Sequence, residues 1–309
     1  MRFAVLGPGG VGGLLAGALD QAGREVVVVA RHSTAATISR EGLYVDSVGL
    51  GRFVAHPRAV ERLQEPVDVL VVATKADGLV PALERIDTPP ELVLPLLNGL
   101  DHIAMLRDRF APGSVLAGSI RVEADRPEPG VVAHTSPFLL VNMASADPAL
   151  AAPMAELAQI LSDAGVPARV CWPVSHRSEA QVMWSKLVRL NALACTTSAY
   201  DKLLGEIRET PALRADLAGA IEEGCAVGQA EGARDVDPTT ALAELERAHD
   251  TLGSSMQRDI AAGRTPELDA IAGSVLRAAA RHGLPCPTIE RLVMMIAERA
   301  GIPAPLVTG

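Results

Sequence analysis

The stretch "FAVLGPGGVGGLLAGALDQAGREVVVVA", residues 3–30, leaves this chain few folds to choose from. A short apolar run from Phe3 to Leu6 reads as a strand. The turn Gly7-Pro8-Gly9-Gly10-Val11-Gly12 follows, and then Leu14, Leu15, Ala18 and Leu19 fall at helical spacing. After Gly23 comes a β-branched run over 25–30, the pattern of a strand buried on both faces, as in a parallel sheet. Strand, glycine turn, helix and strand are complete within 30 residues, which predicts a βαβ unit opening a doubly wound α/β domain. Further strands are predicted in the same sheet over 68–75, 91–99 and 113–120. A hairpin is expected in "GLYVDSVGLGRFVAH" (42–56), and more extended structure in "GVVAHTSPFLLVNMA" (130–144).

Each glycine of the turn has a mechanical reason. Gly7 permits the tight turn, Gly9 lets a pyrophosphate approach the backbone, and Gly12 lets the helix pack closely on the strand. The helix N-terminus then offers free N–H groups and a positive dipole end, so Gly7, Pro8, Gly9, Gly10, Val11 and Gly12 are candidates for binding a dinucleotide. At the end of the second strand, where an acid would bind a ribose 2′-hydroxyl, the chain has Arg31. A guanidinium pairs with a 2′-phosphate through two hydrogen bonds, which favours NADP(H) over NAD(H). Lys75 and Asn98 close two later strands, and ligands of open α/β sheets bind at such carboxyl ends.

With 309 residues the chain exceeds what one core usually holds, and the strand signals give out near residue 176. Helices are predicted over 180–199, 212–231, 238–253, 266–282 and 287–300. The expected division is a nucleotide-binding domain over 1–172 and a helical substrate domain over 173–309. A net charge of −9 has the wrong sign for neutralising phosphate backbones, so nucleic acid is not an expected partner. No apolar stretch reaches the roughly 20 residues of a membrane span, and the apolar run at the start is too short for a signal peptide. Cys171, Cys195, Cys225 and Cys286 lack metal-ligand spacing and read as buried thiols of a reducing cytoplasm. The expectation is a cytoplasmic protein without a metal, either monomeric or a homodimer through its helical domain.

"VMWSKLVRLNALACTTSA" (182–199) sets one lysine in a well-buried helical pattern. Its stem could lie along apolar surface with the ammonium in water. Alternatively the ammonium faces a cleft and gives up a proton. On an ideal helix Leu190 lies about 40° from Lys186 and Thr197 about 20°, whereas Asn191 is about 140° round. An apolar wall around Lys186 would partly desolvate the ammonium and lower its pKa.

The glycine turn, Arg31, "TKA" (74–76), "NG" (98–99), "WSKL" (184–187), "GE" (205–206) and "SSMQRDIAAGRTPELD" (254–269) occur in order. Together with "ARHGLPCPTIERL" (280–292), they resemble the ketopantoate reductase (2-dehydropantoate 2-reductase) family over nearly the whole chain. The resemblance implies a Rossmann domain followed by a helical domain of the 6-phosphogluconate dehydrogenase C-terminal type. It also implies NADPH-dependent reduction of a 2-oxo acid to a 2-hydroxy acid, in pantothenate biosynthesis. Lys186 would donate the proton to the ketone oxygen and touch the substrate. Lys75 and Asn98 would lie beside the nicotinamide, with Asn98 also at the substrate. Glu267 and the backbone of Ala124 would contact the cofactor, and Ser255 the substrate.

This chain also departs from the family. Family members carry asparagines four and eight residues after the lysine, and another just before the "GE" pair. Here those positions are Leu190, Ala194 and Leu204. Losing hydrogen-bond partners for a substrate weakens selection for it. The readings left open are ketopantoate itself, a more apolar carbonyl substrate, a different dehydrogenase on the same scaffold, and an NADP(H)-binding sensor without turnover.

Overall fold

A computed structural model describes residues 1–171 and 179–307. The chain divides into two compact units. The first comprises Met1–Leu97 and His102–Glu179, and the second Asn98–Asp101 and Ala180–Gly309. The expected boundary between 172 and 173 lies outside the described residues.

In the first unit the elements run β1 (Phe3–Leu6), α1 (Gly10–Gln21), β2 (Val26–Val29), α2 (His32–Glu41), β3 (Leu43–Ser47), β4 (Gly51–Ala55), β5 (Arg58–Val60) and β6 (Val69–Val72). They continue with α3 (Leu79–Leu83), β7 (Leu92–Pro95), α4 (His102–Arg109), β8 (Ala117–Arg121), β9 (Ala124–Asp125), β10 (Val131–His134), β11 (Leu140–Ala144), α5 (Ala151–Asp163) and β12 (Ala168–Val170). Five strands form a parallel sheet in the order β5-β2-β1-β6-β7. The order reverses direction between β1 and β6, and ligands of such sheets bind at that reversal.

Alternation along the strands explains why the sheet needs cover on both faces. Phe3, Val5, Val26, Val28, Val69 and Val71 pack in one core with Leu14, Leu15 and Leu19 of α1. Ala4, Leu6, Val27, Val29, Leu70 and Val72 pack in the other, with Leu79, Leu83 and Leu106 of α3 and α4. Burying a side chain of this size contributes about 1.5–3 kcal/mol, so the valine runs are a main source of the unit's stability.

Two smaller sheets flank this one, in the orders β4-β3-β10-β9 and β12-β11-β8. The expected hairpin is β3–β4, with Tyr44 opposite Val54. The strand expected over 113–120 is corrected: it meets the parallel sheet only at the bridge Val93–Val115, and then β8 pairs antiparallel with β11. Pro95, at the end of β7, has no N–H with which to carry the parallel ladder further. The place at the opposite edge goes to β5, three residues long and not foreseen.

A buried histidine ties the second sheet together. His134 Nδ1 lies 2.7 Å from Ser47 Oγ, and Nε2 lies 3.3 Å from Ser136 Oγ. Ser47 Oγ already accepts from the N–H groups of Gly49 and Leu50, so its proton goes to Nδ1. Ser136 donates to the Phe138 carbonyl and accepts from Glu123 N, which leaves it to accept from Nε2–H. The network is satisfied by a neutral ring, and burial lowers the His134 pKa.

The second unit is helical: α6 (Glu179–Tyr200, whose first residue falls in the first unit), α7 (Leu204–Glu209), α8 (Pro211–Ala230), α9 (Pro238–Glu246), α10 (Ser255–Ala261), α11 (Ser274–Arg281) and α12 (Pro287–Ala300). Pro211, Pro238 and Pro287 open their helices, where a missing N–H costs nothing. The segment expected as one helix over 266–282 instead begins with a π-helical turn, Asp269–Gly273, before α11. The helix expected to run to 253 stops at Glu246. Helices α7 and α10 were not anticipated, although both carry capping signals: Glu206 Oε2 accepts from Leu203 N, and Ser254 Oγ from Gln257 N. Among the described residues no helix is long and apolar enough to cross a membrane.

Candidate functional site

The glycine turn is tightly packed except at Gly9. Gly7 has φ +89, and a Cβ there would lie 2.7 Å from Thr74 Cγ2. A Cβ on Gly12 would stand 2.2 Å from Gly7 O, and one on Gly10 2.2 Å from Ala124 O. These two glycines therefore serve close packing, Gly10 against the strand that carries Ala124. Gly9 differs, because a Cβ there would meet nothing within 4 Å. Helix α1 starts after Gly9 with no side-chain cap and no acid in its first turn, so its leading N–H groups and positive dipole end are open to an anion. Pro8 is buried in the turn, and Val11 partly so.

Arg31 is the N-cap of α2 and its carbonyl accepts from Ala35 N, while its exposed side chain makes no hydrogen bond or ion pair with the described residues. Next to it, His32 Nδ1 is 2.7 Å from Glu61 Oε1. Lys75 is exposed and opens the short turn after β6. The hydroxyl of Thr74, just before it, is buried without a partner among the described residues.

The helical unit holds the second group of candidates. Lys186, on α6, donates from Nζ to Asn98 Oδ1 at 2.8 Å, and Asn98 Nδ2 donates to Glu267 Oε2 at 3.0 Å. One amide orientation satisfies both bonds, whereas the flipped amide would set an NH2 group against an ammonium. The structure thus brings together three candidates separated by 88 and 169 positions along the chain. Burial pushes the Lys186 ammonium down from its ordinary value to about 8, and the Glu267 carboxylate opposes that shift. A lysine so poised can donate a proton near neutral pH.

Around Lys186 the α6 face is as the spacing anticipated, with Leu190 partly buried and Thr197 fully so, and Leu193, partly buried, lies on the same face. Thr197 Oγ1 lies 2.7 Å from the Leu193 carbonyl oxygen and 2.8 Å from Ser254 Oγ. The helix carrying the lysine is thereby fastened to the cap of α10, whose first residue is the exposed Ser255. Asn191 points into the core, where Oδ1 accepts from Cys195 Sγ. Of the three residues at the family's asparagine positions, Ala194 and Leu204 are buried in the same core and only Leu190 keeps surface.

The four cysteines are buried, and burial raises Cys195 to about 12. A cavity of ≈ 330 Å³ lined by Ile221, Pro238 and Leu242 lies between α8 and α9 and includes none of the candidates. Among the described residues no group of three His, Cys, Asp or Glu could hold a metal ion.

Two family models match the chain: Ketopantoate reductase PanE/ApbA over residues 3–145, and Ketopantoate reductase PanE/ApbA C terminal over 180–305. The chain is 30% identical to a 2-dehydropantoate 2-reductase of Mycobacterium tuberculosis, covering 97% of this chain and 98% of that protein. It is 29% identical to the oxidoreductase YkpB of Bacillus subtilis, over 94% and 96% of the two chains. Among solved structures, D-mandelate dehydrogenase with NADH and anilino(oxo)acetate superposes with a TM-score of 0.87 at 21% identity, over 97% of this chain and 99% of that one. At that identity the likeness concerns the fold.

Proposed function

The chain belongs to the ketopantoate reductase family, and from that footing we propose that it is an NADPH-dependent oxidoreductase reducing a 2-oxo acid to a 2-hydroxy acid, with ketopantoate the first substrate to test. The observation that carries this reading is the Lys186–Asn98–Glu267 network, which holds an ammonium of lowered pKa on a partly apolar face.

The residues present fit the cofactor. Gly9 leaves room for a pyrophosphate, the N-terminus of α1 faces it uncapped, and Arg31 is free to pair with a 2′-phosphate. Gly7, Pro8, Gly10, Val11, Gly12 and the Ala124 backbone shape this cradle, with Lys75 of the same unit as a further contact. When bound, NADPH supplies the hydride. Lys186 gives its proton to the ketone oxygen, which becomes alkoxide-like as the carbonyl is reduced. The cation stabilises that charge more in the transition state than in the ground state. Asn98 orients the ammonium through its carbonyl oxygen and takes its own orientation from Glu267. Ser255 offers a hydroxyl to the substrate.

A second reading concerns the substrate. Where the family has asparagines this chain has Leu190, Ala194 and Leu204, two of them withdrawn into the core. A site without those donors favours a 2-oxo acid with an apolar side chain over one bearing a hydroxyl. Buried cysteines such as Cys195, Cys225 and Cys286 fit a reducing cytoplasm as the place of action.

The test mixes the purified protein with NADPH or NADH and a panel of 2-oxo acids, ketopantoate and apolar analogues among them, and follows cofactor absorbance beside Lys186→Ala. The proposal expects NADPH oxidation that Lys186→Ala abolishes. NADPH binding with no 2-oxo acid reduced would leave the sensor reading standing, and full activity in Lys186→Ala would remove the acid.

A further inference from the structure

Arg277, on α11, reaches three separate segments of the helical unit. Its guanidinium donates from Nη2 to Asp101 Oδ2 at 2.6 Å and to the Asp269 carbonyl at 3.0 Å. Nη1 donates to Asp269 Oδ1 at 2.7 Å and to the Leu306 carbonyl at 3.2 Å. Its side chain is 19% exposed, less open than either carboxylate. Asp101 stands three residues after Asn98, and Asp269 two residues after Glu267. The arginine therefore bridges the segments that bring Asn98 and Glu267 to Lys186, with Nη2 bonded to both and Nη1 adding a second bond to Asp269.

The backbones also meet there. Gly99 has φ +83, and a Cβ on it would fall 1.9 Å from the carbonyl oxygen of Ala270, within the π-helical turn. Such a close approach needs a clamp, because Asp101 and Asp269 would otherwise repel each other. A planar fork can bind two acceptors at once in fixed geometry, which a lysine cannot. We propose that Arg277 is a positioning residue for the proton donor: it holds the 98–101 segment against the π-helical turn, so that Asn98 stays bonded to both Lys186 and Glu267.

This inference rests on Lys186 being the acid, and its test is chosen to be readable without turnover. The pH dependence of Lys186 labelling by a trace amine-reactive reagent is followed by peptide mass spectrometry in the wild type, Arg277→Met, Arg277→Lys and Asp101→Asn, with kcat measured alongside. In Arg277→Met water reaches the loosened site, and the labelling midpoint rises by at least half a pH unit toward the ordinary lysine range, with kcat down roughly ten-fold. Arg277→Lys, which keeps the charge without the fork, and Asp101→Asn, which weakens one arm, fall between. A folded Arg277→Met with the midpoint and kcat of the wild type overturns the proposal. Should that variant not fold, an unchanged midpoint in Asp101→Asn does so. If the midpoint moves but the wild type reduces no 2-oxo acid, the clamp stands and the reductase reading falls.

Discussion

Glu267→Gln isolates the electrostatic part of the proton donor's design. The glutamine keeps an oxygen to accept from Asn98 Nδ2 but removes the negative charge that raises the Lys186 pKa. From Lys186 Nζ to Glu267 the path runs 2.8 Å to the Asn98 oxygen and 3.0 Å from its nitrogen onward. The amide itself adds about 2.3 Å, so the charges stand at most ~8 Å apart. At an effective dielectric of about 20, two unit charges at that separation interact by ~2 kcal/mol. Solvent at the partly exposed carboxylate reduces this to ~1 kcal/mol, somewhat under one pH unit. Donation requires the ammonium, so wild-type kcat should be flat below about pH 7 and fall ten-fold per pH unit above about 8. The variant should show the same profile with the alkaline limb displaced downward by roughly half to one unit, and with kcat at low pH within about three-fold of the wild type. The assay is kcat against pH at saturating NADPH and 2-oxo acid. A limb that stays in place or moves upward in a folded, NADPH-binding Glu267→Gln would refute the coupling.

Removing the ammonium should also stabilise the fold. The folded-state pKa of Lys186 is depressed, so the stability it withholds is fully present above the unfolded lysine value, lost as pH falls to about 8, and constant below. Lys186→Met should therefore unfold ~1–2 kcal/mol later than the wild type at pH 7, with the gain fading toward pH 10.5, as denaturant midpoints would reveal. Gly9→Ala and Gly12→Ala should separate binding from folding: the first leaves Tm unchanged and weakens NADPH about ten-fold or more in a fluorescence titration, whereas the second lowers Tm by about 5 °C or more. Equal Tm losses in both would contradict the packing described. His134 is held neutral, so its contribution is present above the unfolded pKa and declines as pH falls through it. Wild-type urea midpoints should drop more steeply between about pH 7 and 5 than those of His134→Gln, and parallel slopes would sink that assignment.

How much of this was readable beforehand depends on how local each feature is. The glycine turn, the valine strands and the face of α6 around Lys186 rest on spacings of a few residues, and the structure has them where the sequence put them. Helix α12 matches its expected bounds because Pro287 starts it and Gly301, with φ +63, ends it. By contrast β5 has three residues and no period to detect, and β8 leaves the parallel sheet because of what its neighbour Pro95 lacks. The π-helical turn inserts one extra residue per turn into a pattern that reads as plain helix. In the candidate site Lys186, Asn98 and Glu267 were each visible as residue types, but their mutual bonds are tertiary. Arg277 gave no signal, since a lone arginine on an amphipathic helix reads as a solvated charge.

The four residues Asn98–Asp101 cluster with the helical unit although the chain on either side of them belongs to the nucleotide-binding one. The helical unit is therefore discontinuous, and no single cut releases it whole. A fragment beginning at 180 would carry Lys186, Glu267 and Arg277 but would lack Asn98, Gly99 and Asp101, leaving Arg277 with one carboxylate and Lys186 without its amide. The same holds for chimaeras with relatives: a graft of the second unit that leaves these four residues behind exchanges Lys186 without the amide it donates to. The Lys186–Asn98 bond thus draws on both halves of the sequence, and swapping the carboxyl-terminal half alone would move Lys186 and Glu267 without Asn98.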